Sequence, residues 1–178
     1  VSVPPTTDLT IDTNSATIDI SGITGHMVLN SNGGLITIAN STITGPALLA
    51  ANSGDITLKQ DTVNGQVTFS NNSGTITANQ LSLSSKISFI NNTGKIVFDG
   101  TMVAQGNYKF QNNTGSITCT LPTNVGLHVD ATTNSGTITS NDATLAVQNK
   151  ELHADLGNAP RAQVTLSSNT GTINVLLQ

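Results

Sequence analysis

The chain of 178 residues contains no tryptophan, one cysteine, one tyrosine and little charge of either sign. Charged residues make up 9% of it, against about 25% in an average globular protein. The net charge is −4, and the cations are five scattered lysines and Arg161. No basic patch can form from them, which argues against a nucleic-acid partner or binding to an anionic membrane surface. With 3% aromatic residues there is no platform for stacking bases. No apolar run approaches the length of a membrane-spanning helix, so no membrane insertion is expected. Cys119 has no second cysteine to pair with, and it falls on an inward-facing position where a small buried hydrophobe is expected. The polar surface must come from Asn, Thr, Ser and Gln. Such a composition could suggest disorder, but disordered chains lack periodic β-branched residues, and this one has them.

One tract recurs along the whole chain: Asn52-Ser53-Gly54-Asp55-Ile56, Asn72-Ser73-Gly74-Thr75-Ile76, Asn92-Thr93-Gly94-Lys95-Ile96, Asn113-Thr114-Gly115-Ser116-Ile117, Asn134-Ser135-Gly136-Thr137-Ile138 and Asn169-Thr170-Gly171-Thr172-Ile173. Degenerate copies stand at Asn32–Ile36 and Asn14–Ile18. From Gly34 onward the glycines are 20, 20, 20, 21, 21 and 35 residues apart. Ahead of each Asn runs an apolar alternation of period two, as in Val67/Phe69, Ile87/Phe89 and Tyr108/Phe110, the mark of a half-buried strand. A second glycine series (Gly25, Gly45, Gly65, Gly106, Gly126) falls about midway between the first. Helix formers are scarce, and a propeller blade would need roughly 40 residues per repeat.

The pattern predicts an all-β chain, a single parallel β-solenoid domain over 1–178 with about eight rungs of about 20 residues. Residues 1–8 read as an N-terminal extension and 141–163 as an insertion in the last rung, a cap or a loop. Identical residues in successive rungs then stack about 4.8 Å apart. Ile18, Ile36, Ile56, Ile76, Ile96, Ile117, Ile138 and Ile173 are expected to form one buried column. Asn32, Asn52, Asn72, Asn92, Asn113, Asn134 and Asn169 are expected to form an amide ladder at the corner, because each side-chain amide can bond the one above and below. Phe69, Phe89 and Phe110 should stack, flanked by Leu29, Leu49 and Ala131.

The Asn/Ser-Ser/Thr-Gly-x-Ile rung resembles the "putative adhesin" β-solenoid family, bacterial and archaeal domains of unknown function. The likeness is closest over Leu127–Val175, where the Ala131–Ile138 rung precedes a longer irregular one and Leu166–Val175 closes the chain. The resemblance implies an exported chain with a surface role and carries over no functional residues. Val1 rather than Met at the start fits a mature extracellular or cell-surface chain whose signal peptide has been removed.

Chemistry is sparse. Asp55, Asp61, Asp99 and Asp130 occupy different places in their rungs, so no paired carboxylates of a glycoside-cleaving site arise. His26, His128 and His153 belong to distant rungs and read as solvated outward residues. No catalytic, cofactor-binding or metal site is expected, nor any cofactor, and the chain is read as a non-enzyme. Asn40, Asn71, Asn91 and Asn112 satisfy the Asn-x-Ser/Thr sequon, with structural roles expected for the last three. Outward Thr37, Thr57, Thr77, Thr118 and Thr139 are reminiscent of ice-binding solenoids, but Asp55, Lys95 and Val97 interrupt the array, so thermal hysteresis is expected to be absent or slight. The favoured expectation is a structural surface protein that associates with copies of itself, head to tail, into a filament or layer. The contact would join Val1 and Val3 to an exposed last rung at Val175, Leu176 and Leu177. The alternative is an adhesin-like module that binds glycans or a surface.

Overall fold

The computed structural model describes residues 2–178, and in it every regular element is a strand. The fourteen strands are β1 (Leu9–Thr13), β2 (Ile18–Ser21), β3 (Thr24–Ser31), β4 (Ile36–Ala39), β5 (Thr42–Ser53), β6 (Ile56–Lys59), β7 (Thr62–Asn64), β8 (Val67–Ser84), β9 (Lys86–Met102), β10 (Asn107–Leu121), β11 (Gly126–Ser140), β12 (Val147–Gln148), β13 (Glu151–Leu156) and β14 (Arg161–Leu177). They join one continuous sheet in a β-solenoid-like coil. From β1 to β10 each strand pairs in parallel with the equivalent strand one repeat later: Ile36 with Ile56, Ile56 with Ile76, Ile76 with Ile96, Ile96 with Ile117.

The repeated residues explain the coil. Alternation sends Ile and Phe inward, and the repeated isoleucines Ile36, Ile56, Ile76, Ile96 and Ile117 are fully buried. Phe69 and Phe89 stack with ring centroids 4.8 Å apart, and Phe89 and Phe110 follow at 5.0 Å. The repeated glycine answers to close approach as well as to conformation. A Cβ on Gly94 would overlap the carbonyl of Gly74 in the preceding rung, and Gly94 also has φ +129°. Gly136 has no positive φ, yet a Cβ there would strike Gly171 O just as directly, so contact between stacked backbones excludes side chains at this corner.

The last rungs depart from sequence order. β14 does not follow β11 at the end of the stack; it lies between β10 and β11, parallel to both. Ile173 therefore sits between Ile117 and Ile138, and Leu166 rather than Ala131 adjoins Phe110. The repeat makes this possible, because any rung fits on any other in register. The segment read as an insertion holds β12 and β13, an antiparallel pair, and β13 lies antiparallel along β11 as a cap. That cap carries the chain back by one level, so that β14 enters the gap. The C-terminal strand gains two neighbours instead of one and covers its apolar residues.

The exposed last rung expected at Val175, Leu176 and Leu177 is thereby corrected. Val175 is buried between Cys119 and Ser140, and Leu176 and Leu177 pair with Thr120 and Leu121. Asn141 holds Leu177 through bonds to its N–H and C=O at 2.9 and 3.1 Å. Val3 is exposed at the opposite end of the coil, and Val1 lies outside the described residues.

Candidate functional site

Along one corner three columns of residues run side by side. The outer two reach the surface: Asn30, Ala50, Ser70, Ile90, Gln111, Ser167 and Thr132, half-buried or exposed, on one side, and the exposed asparagines of the repeat on the other. Between them the chain turns inward, and Ser31, Ala51, Asn71, Asn91, Asn112, Ser168 and Thr133 are all buried. A buried column between two that reach the surface makes a groove. It measures about 810 Å³ from Asp12 to Asn113 and continues as a second cavity of about 600 Å³ to Glu151 on the cap.

The asparagine wall is one unbroken ladder. Each Nδ2 donates to the Oδ1 of the preceding rung: Asn32 to Asn14 at 2.9 Å, Asn52 to Asn32 at 2.8 Å, Asn72 to Asn52 at 3.0 Å, Asn92 to Asn72 at 2.9 Å and Asn113 to Asn92 at 3.1 Å. Asn169 then donates to Asn113 and Asn134 to Asn169, each at 3.1 Å, following the stacking order rather than the sequence order. A primary amide has two N–H donors and two acceptor lone pairs. One of each is used within the ladder, so each interior asparagine, exposed to solvent, keeps one donor and one acceptor site that its neighbours do not use.

The groove floor was not recognised in the repeat, although the doubled asparagines at 71–72, 91–92 and 112–113 carried the signal. Asn71, Asn91 and Asn112 are 2%, 1% and 1% exposed. Their Nδ2 groups donate to Gly54 O at 2.7 Å, Gly74 O at 2.8 Å and Gly94 O at 2.8 Å, tying each corner to the rung beneath. Three of the four sequons thus lie on buried side chains, and only that of Asn40 is exposed.

The cap brings together residues that their sequence separation had kept apart. His128 and Asp130 on β11 stand opposite Asp155 and His153 on β13. His128 Nδ1 lies 2.5 Å from Asp155 Oδ1 and its Nε2 lies 3.2 Å from Asp130 Oδ2. His153 Nδ1 lies 2.6 Å from Asp130 Oδ1, with Glu151 at 3.5 Å from its Nε2, and Arg161 lies 3.6 Å from Asp155. The reading of His128 and His153 as belonging to distant rungs is therefore corrected, while both remain open to solvent; His26 stands apart from them. The hydrogen bond with Asp155 chiefly raises the pKa of His128, that with Asp130 raises His153, and that with His128 lowers Asp155. Among the described residues no set of three or more His, Cys, Asp or Glu side chains is arranged to hold a metal ion.

Of the acids read as scattered, Asp130 joins the cap cluster, while Asp55 and Asp61 lie apart from it. Asp61 is buried, accepts N–H bonds from Ser41 at 2.8 Å and Lys59 at 2.9 Å, and has its pKa raised by burial. Asp55 accepts the Thr75 N–H at 2.7 Å. The threonine column runs Thr37, Thr57, Thr77, Val97, Thr118, Asn174, Thr139, broken by Val97 and by Asn174 of the intercalated strand. Cys119 is buried and free, with its thiol pKa raised by desolvation.

The Toastrack DUF4097 family profile matches residues 4–98, which is 95 of the 178 residues. The chain belongs to the Toastrack DUF4097 family. The profile covers the regular coil from the N-terminal segment into β9, and the Toastrack domain is itself β-solenoid-like, a family of unknown function. No curated protein matches the chain. A solved structure of a "putative cell adhesion protein" from Clostridium sporogenes ATCC 15579 is similar at 8% identity, covering 94% of this chain and 96% of that one with a TM-score of 0.43. That is a likeness of outline, and no residue role follows from it.

Proposed function

We propose that this Toastrack protein is a non-catalytic module of the cell exterior that holds a neutral polymer, a polysaccharide, along the amide-ladder groove. The half-used ladder carries the reading. It offers one N–H donor and one carbonyl acceptor per rung, at a constant spacing of about 4.8 Å, and hydroxyl groups can meet both. Asp12 and Glu151 lie only at the two ends of the groove, so an uncharged ligand meets no unpaired charge along its length. The partly exposed Ile90 and Ala50 give the apolar faces of sugar rings a surface to rest on. A repeated face with a repeated ligand gains strength by many weak contacts.

Affinity electrophoresis of the intact chain in gels containing neutral polysaccharides tests this. Retardation is expected, unaffected by salt, since no ion pair contributes. Ser70→Trp fills the groove from an outward position and should abolish retardation with an unchanged melting temperature. Failure of every neutral polysaccharide to retard the protein, or retardation that survives Ser70→Trp, overturns the reading.

A further inference from the structure

The two ends of the coil are finished differently. At the far end β13 covers β11 by a simple rule. Leu152, Ala154 and Leu156 point toward the core, while His153 and Asp155 point outward, opposite Asp130 and His128. Alternating apolar residues close the core and complementary charges align the strand.

At the N-terminal end no strand covers the coil among the described residues; Ser2 and Val3 stand only at the edge of its mouth. β1 pairs only with β3 and β2 only with β4, so each leaves one backbone edge free. Between them lies an open mouth of about 740 Å³ lined by Leu9, Ile11, Ile18, Ile20 and Ile23. Leu9 and Ile11 are only half-buried, whereas the equivalent Met27 and Leu29 one rung in are fully buried. The rim is acidic: Asp8, Asp12 and Asp19 are exposed, and no lysine or arginine precedes Lys59. Asp8 accepts the His26 N–H at 2.8 Å and Asp12 accepts from Asn30 Nδ2 at 2.6 Å, which fixes both carboxylates in place.

We propose that this end is a strand-docking surface for another protein, which adds an extended segment along β1 with apolar side chains over Leu9 and Ile11 and Lys or Arg beside Asp12. Main-chain bonds to the free edge supply affinity and the alternating side chains supply selectivity. A second copy of this chain is the wrong occupant. Head-to-head contact would bring Asp8, Asp12 and Asp19 of both molecules together, and like charges across strands repel. Acidic residues on an edge strand are a known guard against such self-pairing. This surface is separate from the groove, and its test does not depend on polysaccharide binding.

The test uses two labelled peptides, one alternating valine and lysine, the other valine and glutamate, titrated against the intact chain by fluorescence anisotropy at 0.15 M salt. Saturable binding of the basic peptide is expected, at least tenfold tighter than that of the acidic one. Thr10→Lys/Asp12→Lys should reverse the preference, while Asp99→Lys/Thr101→Lys, with the same charge change far from the end, should leave it intact. Equal binding of both peptides, or a preference that follows net charge in both variants, overturns the proposal. So does a dimer in sedimentation that Leu9→Lys disperses, since that assigns the end to a second copy.

Discussion

A single isoleucine in this molecule is held by its own copies above and below. Ile76 is fully buried between Ile56 and Ile96, so its removal leaves a hole that neighbours locked in the same register cannot fill. Ile76→Ala is expected to cost about 2–5 kcal/mol, read as a fall in the denaturant midpoint. The asparagines invite a different expectation. Asn92 donates to Asn72 and accepts from Asn113, and both bonds are exposed to water. Each such bond contributes about 0.5–1.5 kcal/mol, so Asn92→Ala should cost about 1–3 kcal/mol in thermal or chemical melts, toward the lower end because both bonds are solvated. A loss as large as that of Ile76→Ala would mean the ladder bears the fold, and no loss at all would mean it serves only as a wall of the groove.

At the level of elements, the cap is a short antiparallel pair, and where its β13 lies along β11 the outward face carries two histidines among three carboxylates. On the other side of β11, β14 presents neutral Gln163 and Thr165 opposite His128 and Asp130, while its Arg161 lies 3.6 Å from Asp155 and Lys109 stands beyond it on β10. Both histidines have pKa values raised above 6.5 by their carboxylate partners. A raised histidine stabilises fully below its unfolded value and loses that contribution as pH rises through the folded value. Asp155, lowered from 3.8 by His128, contributes above its unfolded value and loses it as pH falls below. The cap is thus held best between about pH 4 and 6.5. A double variant, His128→Gln/His153→Gln, should melt below wild type there, and the gap should shrink as pH is raised to about 9. A gap that is constant with pH would remove the histidines from the account. The strand pattern of this cap was legible: Glu151-Leu152-His153-Ala154-Asp155-Leu156 alternates with period two as plainly as any rung. Its partner was not legible. Repeat spacing encodes which residues stack within parallel turns, and an antiparallel strand laid along β11 lies outside that code. The columns from Ile18 to Ile117 followed directly from spacing, because there every turn has only one place to go.

For the molecule as a whole, the repeat specifies register but leaves the order of stacking open. Ile173 fits in register above Ile138 or between Ile117 and Ile138, since in either place it stacks on isoleucine. What decides is how much each arrangement buries and whether the connections reach. Residues 122–125 span from β10 to β11 past the level that β14 fills, and Thr123 bonds Gln178 O through its N–H and hydroxyl at 3.1 and 2.9 Å, closing that gap around the C-terminus. The outward residues Thr118, Asn174 and Thr139 then lie in a row, with Asn174 Nδ2 3.2 Å from Thr118 Oγ1 and Asn174 Oδ1 2.6 Å from Thr139 Oγ1. Adjacent strands are about 4.8 Å apart, and strands one place removed are about twice that. Disulfides require Cα atoms closer than about 7 Å. Thr118→Cys/Asn174→Cys should therefore cross-link under mild oxidation, as should Thr139→Cys/Asn174→Cys, while Thr118→Cys/Thr139→Cys should not. Buried Cys119, with its raised thiol pKa, should take no part. A cross-link between positions 118 and 139 with none between 118 and 174 would return the strands to sequence order. It would also place Val175–Leu177 at an open end, where head-to-tail association could begin.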